Sequence, residues 1–214
     1  MYSISQAVED IIRSKPYFSE LLERDLLNIT QLARQLKPEV EDRCMKETSV
    51  EAIAMAIRRF PIRTTSKGVS GLFSHTPDIM VRSHLCEITV TKRNDLKQIH
   101  TTLAQSNLIE GQFFTITQGI LEDTIIFSQD QKERVIALFR PSDIVSTFDD
   151  LAAITIRLQP ATVDTPGVYY YFLKSLFLEQ INVIEVVSTY LEFTLLVDES
   201  DAERTFGTVK KLFR

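Results

Sequence analysis

The hydrophobic period of this chain switches between two residues and 3.6 residues in a fixed order from Ala152 to Phe213, and few folds accept that order. Ala153 to Leu158 alternates β-forming and polar residues. Asp164-Thr165-Pro166-Gly167 then makes a turn, and Val168 to Leu178 places bulky apolar residues at helical spacing. Asn182 to Ser188 and Leu191 to Val197 read as a β-hairpin. Asp198 to Asp201 put acids ahead of a closing helix, Ala202 to Phe213, where negative charge suits a helix start. The order β-α-β-β-α is most of a split βαβ, ferredoxin-like unit.

The same order occurs once before. Asp78 to Lys92 is a long extended run, Asn94 or Asp95 caps a helix reaching about Ser106, Gln112 to Gln118 and Asp123 to Ser128 form a second strand pair, and Asp130 caps Gln131 to Phe139. Leu85–Phe139 and Ala152–Phe213 are therefore an internal repeat that shares little sequence but one element order, each copy closing on Leu-Phe. A ferredoxin-like unit needs a fourth strand after its second helix. Ile144 to Phe148 can supply it for the first copy. For the second, which runs to Arg214, the extra length in Asp78 to His84 is the donor.

At the second copy the wording resembles a known family. Pro166-Gly167-Val168, Ile181-Asn182-Val183, Val187-Ser188-Thr189 and Asp201-Ala202-Glu203, in that order, resemble the regulatory ACT domain at the C-terminus of aspartate kinases. The match covers about a third of the chain. The resemblance implies two ACT units, one inserted into the other by strand exchange, and an amino-acid effector held at the interface of two units.

The candidate ligand site is Asp164, Thr165, Pro166, Gly167 and Val168, with Asn182, Val183 and Ile184. A strand-to-helix loop leaves the first N–H groups of the helix unpaired, so they can receive a carboxylate. Gly167 permits close approach and Pro166 fixes the entry. Asp164 can hold an ammonium group or simply cap the helix, and Asn182 offers a donor and an acceptor to a neighbouring unit. Asp-x-Pro-Gly is equally readable as a structural cap and turn. In the first copy the corresponding loop, Lys92-Arg93-Asn94-Asp95, lacks Pro-Gly. The run Tyr169-Tyr170-Tyr171-Phe172 wraps more than one helix face, so some rings should meet another subunit.

Residues 1–68 read as helical. Ile4, Val8, Ile11 and Ile12 make one stripe; Leu21, Leu22, Leu26 and Leu27 make another beyond Ser14-Lys15-Pro16. Asn28 caps Ile29 to Leu36, Lys37-Pro38 stops or restarts the chain, and Thr48 or Ser49 caps Val50 to Phe60. This order is compatible with a helix-turn-helix or winged-helix domain contacting DNA through Thr48, Ser49, Arg58 and Arg59. Eleven Lys or Arg stand against ten Asp or Glu over residues 1–68, and the connection Lys37 to Thr48 is long. Both favour a helical module that packs or dimerises.

Residues 61–77, with Pro61, Gly68, Gly71 and Pro77, have the composition of a hinge. The expected organisation is α+β: a helical, winged-helix-like domain at 1–68, and two ferredoxin-like βαββαβ ACT units at 78–150 and 151–214. With 44% apolar and 25% charged residues the chain is globular, and no run of about eighteen apolar residues suggests a membrane span. The N-terminus lacks an apolar signal core, so a cytoplasmic protein is expected. A formal charge of −5 argues against wholesale nucleic-acid or anionic-membrane binding.

Only six glycines occur, and no Walker, Rossmann or kinase loop can be built from them; Lys67-Gly68-Val69-Ser70-Gly71 has the wrong spacing. No nucleophile-base wording is present. His75, His84 and His100 are too far apart to suggest a metal, and Cys44 and Cys86 read as buried or idle thiols. The expectation is a non-enzyme without cofactor: a homodimeric regulator binding an amino acid. A ligand-responsive DNA-binding regulator and a structural or partner-binding module are the alternatives.

Overall fold

In the computed structural model residues 2–61, 77–92, 101, 103 and 113–213 are described. Expectations for the 61–77 hinge beyond Pro61, for His75 and His100, and for most of the Asn94–Ser106 helix fall outside them. The chain divides into two compact units, Met1–Gly68 and Val69–Arg214.

The first unit holds α1 (Ile4–Ser14), α2 (Pro16–Glu23), α3 (Ile29–Cys44) and α4 (Val50–Arg58). Ser3 and Gln6 form a capping box at α1, Asn28 Oδ1 accepts from Gln31 N at α3, and Ser49 Oγ accepts from Ala52 N at α4. One core joins Val8, Ile11 and Ile12 of α1 to Leu32, Leu36, Val40 and Cys44 of α3 and to Ile53 and Ile57 of α4. Sequence reasoning breaks α3 at Lys37-Pro38, but the helix runs through it. Leu32, Leu36, Val40 and Cys44 keep one buried stripe across the break, while Pro38 faces solvent, where water can satisfy the carbonyl it leaves without a donor. The connection to α4 is thus Met45–Ser49, much shorter than expected.

The second unit is one six-stranded antiparallel sheet, order β2-β3-β1-β4-β6-β5, with β1 Ile79–Thr91, β2 Thr115–Gln118, β3 Glu122–Ser128, β4 Ile144–Arg157, β5 Glu185–Ser188 and β6 Glu192–Asp198. Among the described residues its bounded α-helices are α5 (Lys132–Ile136), α6 (Val168–Leu178) and α7 (Ala202–Lys211). The hairpin strand expected from Asn182 starts only at Glu185. Asp130 does not cap α5; its carboxylate faces His84 Nε2 at 3.2 Å.

The two central strands each serve both halves of the sheet. Leu85–Thr91 pairs with β3 and its Glu87–Val90 part with Ile144–Phe148, whereas Ile79–Arg82 pairs with Ala153–Ile156. Ile79–Arg82 thus occupies the place of a last strand beside Leu151–Arg157, β6 and β5. Between the two stretches the register slips, and His84 and Asp150 take left-handed backbone (φ 60° and 52°). β4 continues unbroken through the 150/151 boundary.

Strand alternation sends Cys86, Ile88 and Val90 to one helical face with Ile125, Phe127 and Val135, and Ala152, Ile154 and Ile156 to another with Phe172, Leu176, Phe193 and Val209. The opposite faces of the two halves share a third cluster of Leu85, Ile126, Leu151, Ala153 and Leu196, all at most 2% exposed.

Three helices end with a left-handed residue that is not glycine: Asp25 after α2, Met45 after α3 and Gln180 after α6. Each end carries the paired bonds of a Schellman motif, as in Lys46 N to Glu41 O and Met45 N to Asp42 O. Met45 is 87% exposed, so its side chain contributes little packing to offset its conformation. Left-handed backbone costs an L-residue about 1–2 kcal/mol, and glycine entropy costs about 0.5–1 kcal/mol. Met45→Gly is therefore expected to stabilise the helical unit by ~0.5–1 kcal/mol, seen as a higher urea midpoint with unchanged slope.

Candidate functional site

A cleft of about 290 Å³ opens where β4 hands over to α6. Leu158 forms its floor, Thr162, Val163 and Thr165 one wall, Val168 and Tyr169 the helix side, and Thr189 and Tyr190, at the tip of the β5–β6 hairpin, the other wall. The hairpin tip is held there because Leu158 N donates to Leu191 O at 2.7 Å. No side chain caps α6: Gly167, left-handed at φ 89°, is its N-cap, and Tyr171 N is the donor to Gly167 O. The amides of residues 168–170 thus begin a helix next to the cleft without an intrahelical acceptor. The lining has hydroxyls, apolar groups and two phenol rings, and no charged side chain. Tyr169 lies against Phe193, ring centroids 4.8 Å apart.

Of the residues expected to bind ligand, Thr165 and Val168 line this cleft; Pro166 and Gly167 lie exposed in the turn between them, and Asp164 is exposed just before it. Asp164 does not cap α6. Thr165 Oγ1 donates to Ala161 O, which holds the loop rather than a ligand. Asn182, Val183 and Ile184 are not brought to the cleft. They follow the other end of α6, an 11-residue helix and so about 16 Å long. Ile184 N instead donates to Leu196 O, at the far end of β6. Sequence reasoning missed Leu158, Thr189 and Tyr190, because strand pairing alone carries the hairpin tip to the α6 loop.

A usable signal was present. β1–β3 and β4–β6 have the same register, Leu85↔Ser128 to Thr91↔Glu122 matching Leu151↔Asp198 to Arg157↔Glu192. In this alignment Leu121-Glu122-x-Thr124 falls on Leu191-Glu192-x-Thr194. Thr89 and Thr124 hydroxyls pair at 3.3 Å, Thr155 and Thr194 at 2.9 Å. Lys92 N to Leu121 O repeats Leu158 N to Leu191 O. What fills the equivalent positions differs. Where the second half has Leu158 and Phe193, the first has Lys92 and Asp123, whose side chain is 2% exposed with the Lys92 ammonium at 3.6 Å. Lys92 also donates to Gly119 O. Of the corresponding loop only Lys92 lies within the described residues.

Polar groups also stitch the kink of the central strands. Gln129 exchanges two hydrogen bonds with Asp150, accepting from its amide and donating to its carboxylate, and Lys132 pairs with Asp149. Asp149 is held below the usual carboxylate range by Lys132. The buried Cys86 thiol, 3.3 Å from Asp149, is pushed up to about 12 by burial and that carboxylate. Cys86 is thus no nucleophile. Cys44 is also buried and unbridged.

Among residues expected to meet DNA, Thr48 is buried and its amide donates to Glu41 Oε1 at 2.8 Å. Ser49 caps α4. Arg58 and Arg59 are exposed at the opposite end of that helix. A single base-reading face does not gather all four. No group of three or more potential metal ligands occurs among the described residues, and no described helix is long and apolar enough to cross a membrane.

No protein-family model matches the sequence, and no curated protein is significantly similar to it. The fold does have relatives among solved structures. The regulatory subunits of aspartate kinase from Thermus thermophilus and Thermus flavus each superpose with a TM-score of 0.53 at 13% identity, over 65% of this chain and 100% of theirs. Aspartate kinase from Clostridium acetobutylicum gives 0.53 at 14% identity, over 65% of this chain and 35% of that enzyme. A share of 65% is too large for the helical unit alone, so the match includes the sheet. The chain therefore has the α+β, ACT-like fold of aspartate kinase regulatory regions. Against the whole Clostridium enzyme it spans about a third of the length.

The Lys92–Asp123 pair gives a direct test of the repeat. Lys92→Leu removes the ammonium beside a carboxylate that is 2% exposed and is expected to destabilise the unit by about 2 kcal/mol, the ammonium being partly solvated. Adding Asp123→Phe recreates the Leu158 and Phe193 pairing and should recover most of that loss in urea melts.

Proposed function

We propose that this chain is a non-catalytic regulatory protein that binds an amino acid through two aspartokinase-like ACT units, at 78–150 and 151–214. The observation that carries this reading is the cleft at the start of α6, in a fold that aspartate kinase regulatory subunits share. Free amides at a helix start suit a carboxylate, and left-handed Gly167 keeps Cβ atoms away from it. A lining of Thr and Tyr hydroxyls without charge suits a small neutral side chain. The exposed Asp164 is then the partner for the ammonium group.

In this reading the protein is a homodimer. Tyr169, Leu173 and Phe177 repeat every four residues along α6 and are 47, 36 and 76% exposed, an apolar stripe with Lys174 as the helix's one charge. Asn182, Val183 and Ile184 lie a helix length from the cleft, so any contact they make with its ligand comes from a second copy. Ligand then acts by favouring one assembly state over another.

Two outcomes are expected. Thermal shift against the twenty amino acids should find at least one stabiliser, since a ligand at ~100 times its Kd adds about 2.7 kcal/mol. The shift should vanish with Tyr190→Ala, and a panel with no shift would sink the reading. Phe177→Glu should turn the dimer into a monomer in sedimentation velocity.

The exposed Arg58 and Arg59 leave a second reading, a ligand-responsive DNA-binding regulator. It requires salt-dependent retention on duplex DNA that is lost with Arg58→Ala and Arg59→Ala.

A further inference from the structure

Glu87 lies in the centre of β1 and is 3% exposed. Strand alternation turns it to the same face as Leu85, away from the helices, towards the seam where the two halves of the sheet share one cluster. Its paired neighbours are Ile126 on β3 and Phe148 on β4, neither of which can neutralise a carboxylate. Its Oε2 is buried without a hydrogen-bond partner. The charge that acts on it comes from the other half of the sheet, Glu185 at the start of β5, and it is of the same sign. Glu185 itself accepts the Val186 amide at 3.0 Å. On Glu87's own strand the next titratable group is the Cys86 thiol, which points to the opposite face.

The repeat shows that the fold does not require this. By the shared registers Glu87 corresponds to Ala153, and Glu185 to Thr115. The equivalent positions are thus uncharged, on the same backbone. An unpartnered acid at only one of two equivalent places is a feature of this sequence.

We propose that Glu87 is a proton-operated clasp between the two halves of the sheet: protonated, it is accommodated in the seam, and ionised, it repels Glu185 and loosens the contact of β5 and β6 with β1. Burial, and then Glu185, raise its titration from an ordinary 4.5 to about 7. A raised carboxyl favours the closed seam fully below its ordinary value. That advantage is lost as pH rises to about 7 and does not change further above it. The seam therefore opens as pH rises from about 4.5 to about 7.

Carboxyl-carbon NMR and amide hydrogen exchange on the full chain, from pH 5 to 8.5, test this. Glu87 should titrate near 7. After correction for intrinsic rates, the Ile184 and Leu196 amides should exchange about tenfold faster per pH unit up to that midpoint and then level off. Amides of α1, α3 and α4 should not follow. Glu87→Gln, close in shape, should abolish the slope. Glu185→Gln should lower the midpoint without returning it to 4.5, because burial is the larger cause. Titration of Glu87 near 4.5, a slope that survives in Glu87→Gln, or an equal change at every amide of the sheet-bearing unit would each overturn the clasp.

Discussion

The antiparallel pairing of β1 with β4 is what the sheet-bearing unit depends on. Both strands are long, 13 and 14 residues, and each is shared between the two halves. Neither half has its full set of strands without a segment from the other: Ile79–Arg82 lies beside Ala153–Ile156, and Ile144–Phe148 beside Glu87–Val90. Because the exchange is made in backbone hydrogen bonds, the halves cannot be parted without breaking ladders, and 78–150 and 151–214 fold as one unit. The kink at His84 and Asp150 follows from the same pairing. Two strands crossing from one half to the other must slip register, and non-glycine residues are held there by Gln129, Asp130 and Lys132.

One backbone plan, used twice, is filled differently. Registers, the Thr–Thr pairs and the hairpin-tip bonds are common to both halves, because they belong to the ladder. Side chains facing the helix starts are free to diverge. Leu158 leaves an apolar floor under the cleft and Phe193 stacks on Tyr169, where Lys92 and Asp123 place an ion pair in the first half. The seam diverges in the same way, with Glu87 and Glu185 at the positions where the repeat has Ala153 and Thr115.

Much of this was legible along the chain, since local periodicity sets the elements. Val168–Leu178 is a helix as its spacing predicts, Asn28 and Ser49 cap, and the β-α-β-β-α order yields the strand exchange. Pro38 misleads because a proline on a solvent face leaves a carbonyl that water can satisfy, so burial of Leu36, Val40 and Cys44 outweighs the missing bond. Asp130 misleads as a cap because a carboxylate before a helix has other uses, here facing His84; of the two roles open to Asp164 the cap is not taken, since α6 begins at an uncapped glycine.

By itself, the sequence determined most of the described elements and their order, and marked the turn before α6. These follow from contacts between residues a few positions apart. Tertiary structure alone decided that Tyr190 and not Asn182 faces the turn before α6, that Thr48 is inside, and that Glu87 is shut away between Ile126 and Phe148. Each depends on which strands pair across dozens of residues, and periodicity does not encode that distance.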